Sequence, residues 1–316
     1  MAHHHLPSKP ENIHWGSFSA QHRPVLEIAS GDRVTIDTIS GGRDQLPTEK
    51  GDWHYLPDHL AYLEVGKPAM RGHIMTGPIA VKGAKAGSVL EVRVLDVKLR
   101  QDWAWNIIMP LRGSLPHDFK QERRMTIRLD IARNKAIMPW GVELECSPFF
   151  GVMGVAPPPN WGEISSIQPR AHGGNLDIKA MVAGSTLYLP VWNDGALFSC
   201  GDGHAVQGDG EVCLSAAETA LTGTFEFHVR DDMKLEMPQA ETPTDYVTIG
   251  IDPDLDDAAQ MALRAMIDLV CSKTNLARED AFTLMSLAAD THVSQLVNEN
   301  KGIHVMLPKA AVHGAK

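Results

Sequence analysis

The sequence predicts a β-rich α+β fold, with antiparallel β-sheets forming a sandwich or barrel-like core and a C-terminal helical pair packed on it. Short β-branched runs alternate with turns from about Val25 to Val97. Strand character returns at 187–192 and 224–230, and after Tyr246 the apolar period lengthens from two residues to that of a helix.

Residues 1–23 read as an N-terminal arm, and His3, His4 and His5 within it are set aside as a mobile tail. The β core follows over about 24–246. Gly31-Asp-Arg-Val-Thr-Ile-Asp37 is a strand after a turn. In the next, Leu90, Val92 and Val94 share one face with Asp96, opposite Val89, Glu91, Arg93 and Leu95, as expected of an antiparallel strand with one apolar and one mixed face. Residues 103–170, rich in Trp, Pro and Gly, read as irregular loops over a site, and the three prolines of Val155-Ala-Pro-Pro-Pro-Asn-Trp-Gly162 exclude helix and interior strand.

Asp252-Pro253 supplies a cap and first-turn proline for a helix whose Leu255, Ala259, Ala262, Met266 and Val270 recur at helical spacing. A second helix is expected over about 278–299. Joined through Ser272-Lys-Thr-Asn-Leu276, the two form an antiparallel pair within about 252–300. One domain over 24–310 accounts for the whole pattern, without repeats or low-complexity text.

The chain of 316 residues is 43% hydrophobic, ample for a large core. Its formal charge of -10 and the lack of a Lys/Arg cluster exclude a phosphate-tracking nucleic acid binder. No apolar run approaches the ~20 residues of a membrane-spanning helix, and no signal-peptide core is present, so no membrane association and a cytoplasmic location are expected. Cys146, Cys200, Cys213 and Cys271 show no Cys-x-x-Cys spacing and read as reduced, buried thiols.

The richest chemistry lies in Phe198-Ser-Cys-Gly-Asp-Gly-His-Ala-Val-Gln-Gly-Asp-Gly-Glu211. A phosphate cradle needs free backbone donors and positive charge, whereas this loop carries Asp202, Asp209 and Glu211, which suit a cation or a carbonyl substrate better. Asp202 and His204, two apart, leave the same face of an extended segment and can meet at one metal ion, with Glu211 as ligand or base. The bland alternative is an acidic hairpin bonded to its own backbone.

His172-Gly-Gly-Asn-Leu-Asp177 is a second constellation, whose glycines would let backbone donors approach a ligand. Asp37 and His73 stand at strand ends as contributors, though each alone reads better as a solvated turn residue. No Gly-x-Ser-x-Gly elbow, His-Glu-x-x-His or twelve-residue calcium loop occurs, so a Ser-His-Asp hydrolase and a helical zinc-protease site are disfavoured.

Taken together, His73-Ile-Met-Thr-Gly-Pro-Ile-Ala-Val-Lys-Gly-Ala-Lys-Ala-Gly87, Gly151-Val-Met-Gly-Val-Ala-Pro157, His172-Gly-Gly-Asn-Leu-Asp177, Leu187-Tyr-Leu-Pro-Val191 and the Gly201–Glu211 block resemble the acetamidase/formamidase family of amide hydrolases. The C-terminal Leu284-Met-Ser-Leu-Ala-Ala-Asp290 and Gly302-Ile-His-Val-Met-Leu-Pro308 extend the likeness to about residue 310. Gly83-Ala-Lys-Ala-Gly-Ser88 departs from the family's usual Gly-Ala-Glu-Pro-Gly-Asp, in a turn away from the chemistry. The resemblance implies hydrolysis of the C–N bond of formamide, acetamide or a cyclic amide such as a γ-lactam, by a homo-oligomer.

It also carries over Asp37, His73, Asp177, Asp202, His204, Gln207, Asp209 and Glu211, residue by residue. The expected site is a divalent metal, zinc first, on Asp202 and His204 with help from Asp37, His73 or Asp177. Glu211 is the expected base, its pKa raised by Asp209 alongside, and Gln207 joins them. Asn175 and glycine N–H groups are the expected oxyanion donors. Surplus oxygen ligands leave room for calcium at a second site. The competing readings are a cysteine-nucleophile amidase through Cys146 or Cys200 and a non-catalytic, calcium-stabilised β-rich binding protein.

Overall fold

The computed structural model describes residues 1–313. Two large sheets face one another across a shared core. Nine strands form the first, in the order His3–Leu6, Arg33–Asp37, Leu221–Arg230, Val89–Leu99, Thr186–Pro190, Gln239–Glu241, Asp245–Asp252, Lys301–Pro308 and Asp290–Gln295. The second has eleven. Eight of them run Glu143–Glu145, Lys135–Ile137, Arg123–Asp130, Trp103–Ile108, Glu218–Thr219, Phe198–His204, Phe149–Gly154 and Gly173–Asn175. Ile74–Lys82 also pairs with Phe198–His204 and carries Ile13–Trp15 and Leu26–Ala29. Pairing is antiparallel except for two parallel contacts near the N-terminus, and among the described residues neither sheet closes into a barrel.

The alternation seen in sequence explains the core. Leu90, Val92 and Val94 point inward with Phe225 and Phe227, and they meet Phe150, Met153 and Phe198 of the other sheet. Phe150 and Phe198 pack on Phe225 and Phe227 with ring centroids 5.4 and 5.1 Å apart. On the opposite face of the first sheet, Glu91 and Glu226 are held by Arg33, Arg93 and Arg230, which neutralises carboxylates buried under those long side chains.

The helices pack on the far end of the first sheet. Leu255–Lys273 is capped by the Asp254 carboxylate, which accepts from the Asp256 and Asp257 amides, so the cap lies beyond Asp252-Pro253. Gly250 lets this helix lie directly on the sheet, since a Cβ there would sit 1.9 Å from the Ala258 carbonyl oxygen.

Four expectations are corrected. The second helix stops at Ala288, because Asp290–Gln295 alternates around β-branched Thr291 and Val293 and pairs with Lys301–Pro308. Residues 103–170 hold regular strands, with Trp103 and Ile107 inside, so the density of Trp, Pro and Gly concealed the period-two pattern. His3–Leu6 is an ordered edge strand parallel to Arg33–Asp37, not a mobile tail. The Phe198–Glu211 text is a buried strand as far as His204 and only then a loop.

Candidate metal centre

The strand Phe198–His204 is buried throughout and has neighbours on both sides. Its register sets His204 opposite Phe149 on one side and Glu218 on the other. Asp202 projects beside His204, and its backbone lies in the left-handed region at φ 55°. Asp177 (φ 50°) and Glu211 (φ 46°) share that conformation. Non-glycine residues rarely adopt it, and three around one point mark stored local strain of the kind that collects at functional sites.

The His204 tautomer follows from its neighbour. Both amide hydrogens of Gln207 are used, on the carbonyl oxygens of Asp177 (2.8 Å) and Ser294 (3.3 Å). Its Oε1 therefore faces His204 and accepts from Nδ1–H at 2.7 Å. His204 Nε2 is left toward the carboxylates, 3.2 Å from Glu218 Oε1, 3.4 Å from Asp202 Oδ2 and 3.9 Å from Glu211 Oε1. His73 is arranged likewise: Nδ1–H donates to the Ser166 carbonyl at 3.2 Å, and Nε2 lies 3.7 Å from Asp202 Oδ2. Asn298 donates to Asp177 Oδ2 at 2.8 Å, and the Ala216 amide to Glu218 Oε1 at 2.8 Å.

So much buried charge is far from self-sufficient. Burial raises Asp177 and Glu211 well above the ordinary carboxylate range, with repulsion from Asp202 and Glu218 adding to it at Asp177 and repulsion from Asp177 adding to it at Glu211, and pushes Glu218 up to about 7. Asp202 moves the other way, because His73 and His204 outweigh its burial. Burial disfavours a charged His204, yet Glu218 and Asp202 overcome that and raise its pKa well above 6.5. His204 Nε2, Asp177 Oδ1 and Glu218 Oε2 are buried without a hydrogen-bond partner. An imidazole nitrogen and carboxylate oxygens converging in this way are a donor set that fits a divalent cation, which would supply the missing positive charge.

The structure gathers His73, Asp177, Asp202, His204 and Glu211 from the sequence expectation, with Gln207 supporting the imidazole. It separates Asp37, which lies among strands of the first sheet, where Oδ1 accepts from Thr222 at 2.5 Å and Oδ2 lies 2.7 Å from His5. Asp209 is also outside the centre: its Oδ2 pairs with Lys179 (2.9 Å) and His292 (3.2 Å), so Asp177, not Asp209, adds to the rise in Glu211. Asp209, His292 and His304 form a cluster of their own. Two imidazoles and one carboxylate are a poor set for calcium, which takes oxygen ligands.

Asn175 lines the cavity with one Nδ2 hydrogen donated to the Ile167 carbonyl and its Oδ1 unpartnered, which leaves its second amide hydrogen as the donor an oxyanion could use. The glycines before it serve backbone packing: a Cβ at Gly173 would lie 2.6 Å from the Met153 carbonyl oxygen. Cys146 and Cys200 are buried in apolar clusters, and burial pushes both thiols up, the first to about 11, against a nucleophilic role.

Sequence reasoning missed Glu218 and Asn298. Glu218 stands outside the Gly-rich block, and only its register opposite His204 reveals it. Asn298 had no signal at all, since it falls where a helix was expected.

A cavity of about 300 Å³ opens over the centre. His73, Asp202, Glu211 and Glu218 face it, and Trp105, Ile107, Met109 and Leu214 form apolar walls. An adjoining space of about 210 Å³ shares His73, Trp105 and Asp202.

Fold and site together place the chain among β-sandwich proteins with a buried carboxylate and imidazole centre under an open cavity. Over residues 23–165 and 160–313 it matches the Acetamidase/Formamidase family, and it belongs to that family. A formamidase of Methylophilus methylotrophus is 29% identical over 198 residues, which span 46% of this chain and 48% of the relative, so the chain matches about half of that protein's length. The acetamidase structure from Bacillus halodurans is 30% identical with a TM-score of 0.83 over 98% of both chains. A predicted acetamidase/formamidase from Thermoanaerobacter tengcongensis superposes with a TM-score of 0.86 at 27% identity, over 99% of this chain and 98% of the other.

Proposed function

We propose that the protein is a metal-dependent amide hydrolase that cleaves the C–N bond of a short linear amide or a γ-lactam, with water as co-substrate. The observation that carries this reading is His204 Nε2, fixed as the free nitrogen by Gln207 and turned toward Asp202 and Glu218 with no hydrogen-bond partner of its own. Asp202, His204 and Glu218 would hold the cation, with His73 alongside. A bound zinc ion supplies Lewis acidity toward the amide oxygen and toward water.

The remaining steps belong to the chain. Amide cleavage needs one proton removed from water and one delivered to the leaving nitrogen. Glu211 faces the cavity, and burial with Asp177 beside it raises its pKa, which favours the protonated carboxyl, so it is assigned as the acid/base residue. Asp177, buried behind it and anchored by Asn298, shares that proton and positions Glu211. Trp105, Ile107 and Leu214 give the cavity apolar walls against which the substrate's carbon chain can pack.

No helix among the described residues is long and apolar enough to cross a membrane. A homo-oligomeric state and a cytoplasmic setting belong to the same proposal.

The test is ammonia release from formamide and acetamide, and ring opening of a γ-lactam. Each is run with protein as purified, after chelation, and after zinc is restored. Activity lost and regained supports the metal centre. Activity indifferent to chelation overturns it and returns attention to Cys146 and Cys200, and silence on every amide favours a binding protein.

A further inference from the structure

Resting on the amidase reading, we propose that the substrate is an amide with a carboxylate at the end remote from the scissile bond, and that Arg71 and Arg112 at the cavity mouth bind that carboxylate. The cavity of about 300 Å³ is far larger than the primary amides of one or two carbons need. At ~30 Å³ of liquid volume per water it has room for on the order of ten waters, whereas acetamide has four heavy atoms. Ile107, Met109 and Leu214 give its middle an apolar lining suited to a short methylene chain.

The charge distribution gives the two ends different tasks. Asp202, Glu211 and Glu218 line the deep end, where the cation and the proton-transfer group are placed. Arg71 and Arg112 line the same cavity nearer solvent. Of the other thirteen arginines, nine (33, 43, 93, 100, 124, 128, 133, 230 and 278) have a carboxylate within 4.0 Å, while Arg23, Arg123, Arg170 and Arg264 have none among the described residues and lie outside this cavity. Arg71 and Arg112 have no ion pair among the described residues, although the chain carries a net charge of -10 and offers acidic partners in abundance. A planar guanidinium matches a carboxylate through two parallel hydrogen bonds.

With the cation held on Asp202, His204 and Glu218 the floor does not itself repel an anion, so orientation rests on the arginines: a carboxylate held at the mouth leaves the amide end toward the centre. The arginines discriminate against a neutral amide, which gains nothing at the mouth, and against an amide bearing a distal ammonium, which they repel.

The experiment compares pairs of equal carbon number on the holoenzyme: succinamate with butyramide, and glutaramate with valeramide. Wild type, Arg71→Gln, Arg112→Gln and Arg112→Glu are assayed for kcat/KM, and calorimetry reads glutaramate and valeramide binding independently of turnover. We expect the anionic member of each pair to be favoured by tenfold or more. Each glutamine variant should lower that ratio about tenfold, the usual weight of one charge-assisted hydrogen bond, and Arg112→Glu should shift preference toward 4-aminobutyramide. Neutral amides cleaved as well as anionic ones, with ratios unmoved by the variants, overturn the proposal and leave the amidase reading standing. No turnover of any amide removes the amidase reading, and the calorimetric arm then decides: glutaramate bound no more tightly than valeramide overturns the arginine assignment, and tighter binding lost in the variants sustains it.

Discussion

Replacing Gly151 by alanine tests the geometry of the centre with one methyl group. Gly151 lies in the strand Phe149–Gly154, between the strands that carry Asp202 and Asn175. An added Cβ would stand 2.5 Å from Asp177 Oδ1, 2.7 Å from Asp202 Oδ2 and 2.8 Å from His204 Cε1, against 3.4 Å for ordinary contact. The three groups would have to retreat by about 0.6 to 0.9 Å, and the most crowded of them, Asp177 Oδ1, is already without a partner. The backbone at Gly151 is outside the positive-φ set, so alanine meets no conformational penalty there and the whole effect comes from the cluster. Overpacking of this size costs about 1–3 kcal/mol of stability. Displacing reacting groups by ~1 Å costs about 10²-fold in rate. We therefore expect a folded protein with a modestly lower Tm, zinc affinity down by at least tenfold and kcat/KM down about a hundredfold. Circular dichroism, metal content after dialysis against a fixed zinc buffer, and amide turnover read the three quantities. A variant that folds, binds zinc and turns over like wild type would refute the claim that Asp177, Asp202 and His204 converge at a functional point.

Glu211→Gln should keep its bound cation and lose about 10²–10⁴ in kcat, since it removes proton transfer without removing a ligand; retention of full turnover would sink the assignment. Glu218→Gln should act on the cation instead, weakening zinc by more than tenfold in a competitive chelator titration, and an unchanged affinity would restrict Glu218 to a supporting role. Acid should destabilise the fold through buried imidazoles. Burial, with His22 beside it, lowers His14 to about 3, and burial with Arg170 nearby lowers His172 to about 3. Both folded values lie below the ordinary 6.5, so the unfolded chain binds the proton first; this stability is complete above pH 6.5 and is lost as pH falls toward 3. At pH 5 the loss is about 2 kcal/mol for each histidine. His172→Leu, which removes a ring whose nitrogens have no partner, should shrink the difference in urea stability between pH 7 and pH 5 by about that amount; an unchanged difference counts against the buried neutral imidazole.

The sequence alone determined the periodicities and, through them, the β-rich core, since alternation at Leu90, Val92 and Val94 is a local property that survives into the sheet. It also determined that Asp202 and His204 leave one face together, because two residues of extended chain fix that relation. The C-terminal helix was legible for the same reason, although its partner ended early once Asp290–Gln295 found a strand to pair with. Only the tertiary structure decided the rest of the site. Glu218 enters through strand register, Asn298 through a loop packed against Asp177, and Asp209 leaves because Lys179 and His292 hold it elsewhere. Asp37 reads in sequence like any acidic strand end, and it is excluded by the edge strand that brings His5 to it. Local pattern encodes which face a side chain takes; which faces meet depends on pairings between residues far apart in the chain, and those are fixed only when the two sheets close over a common core.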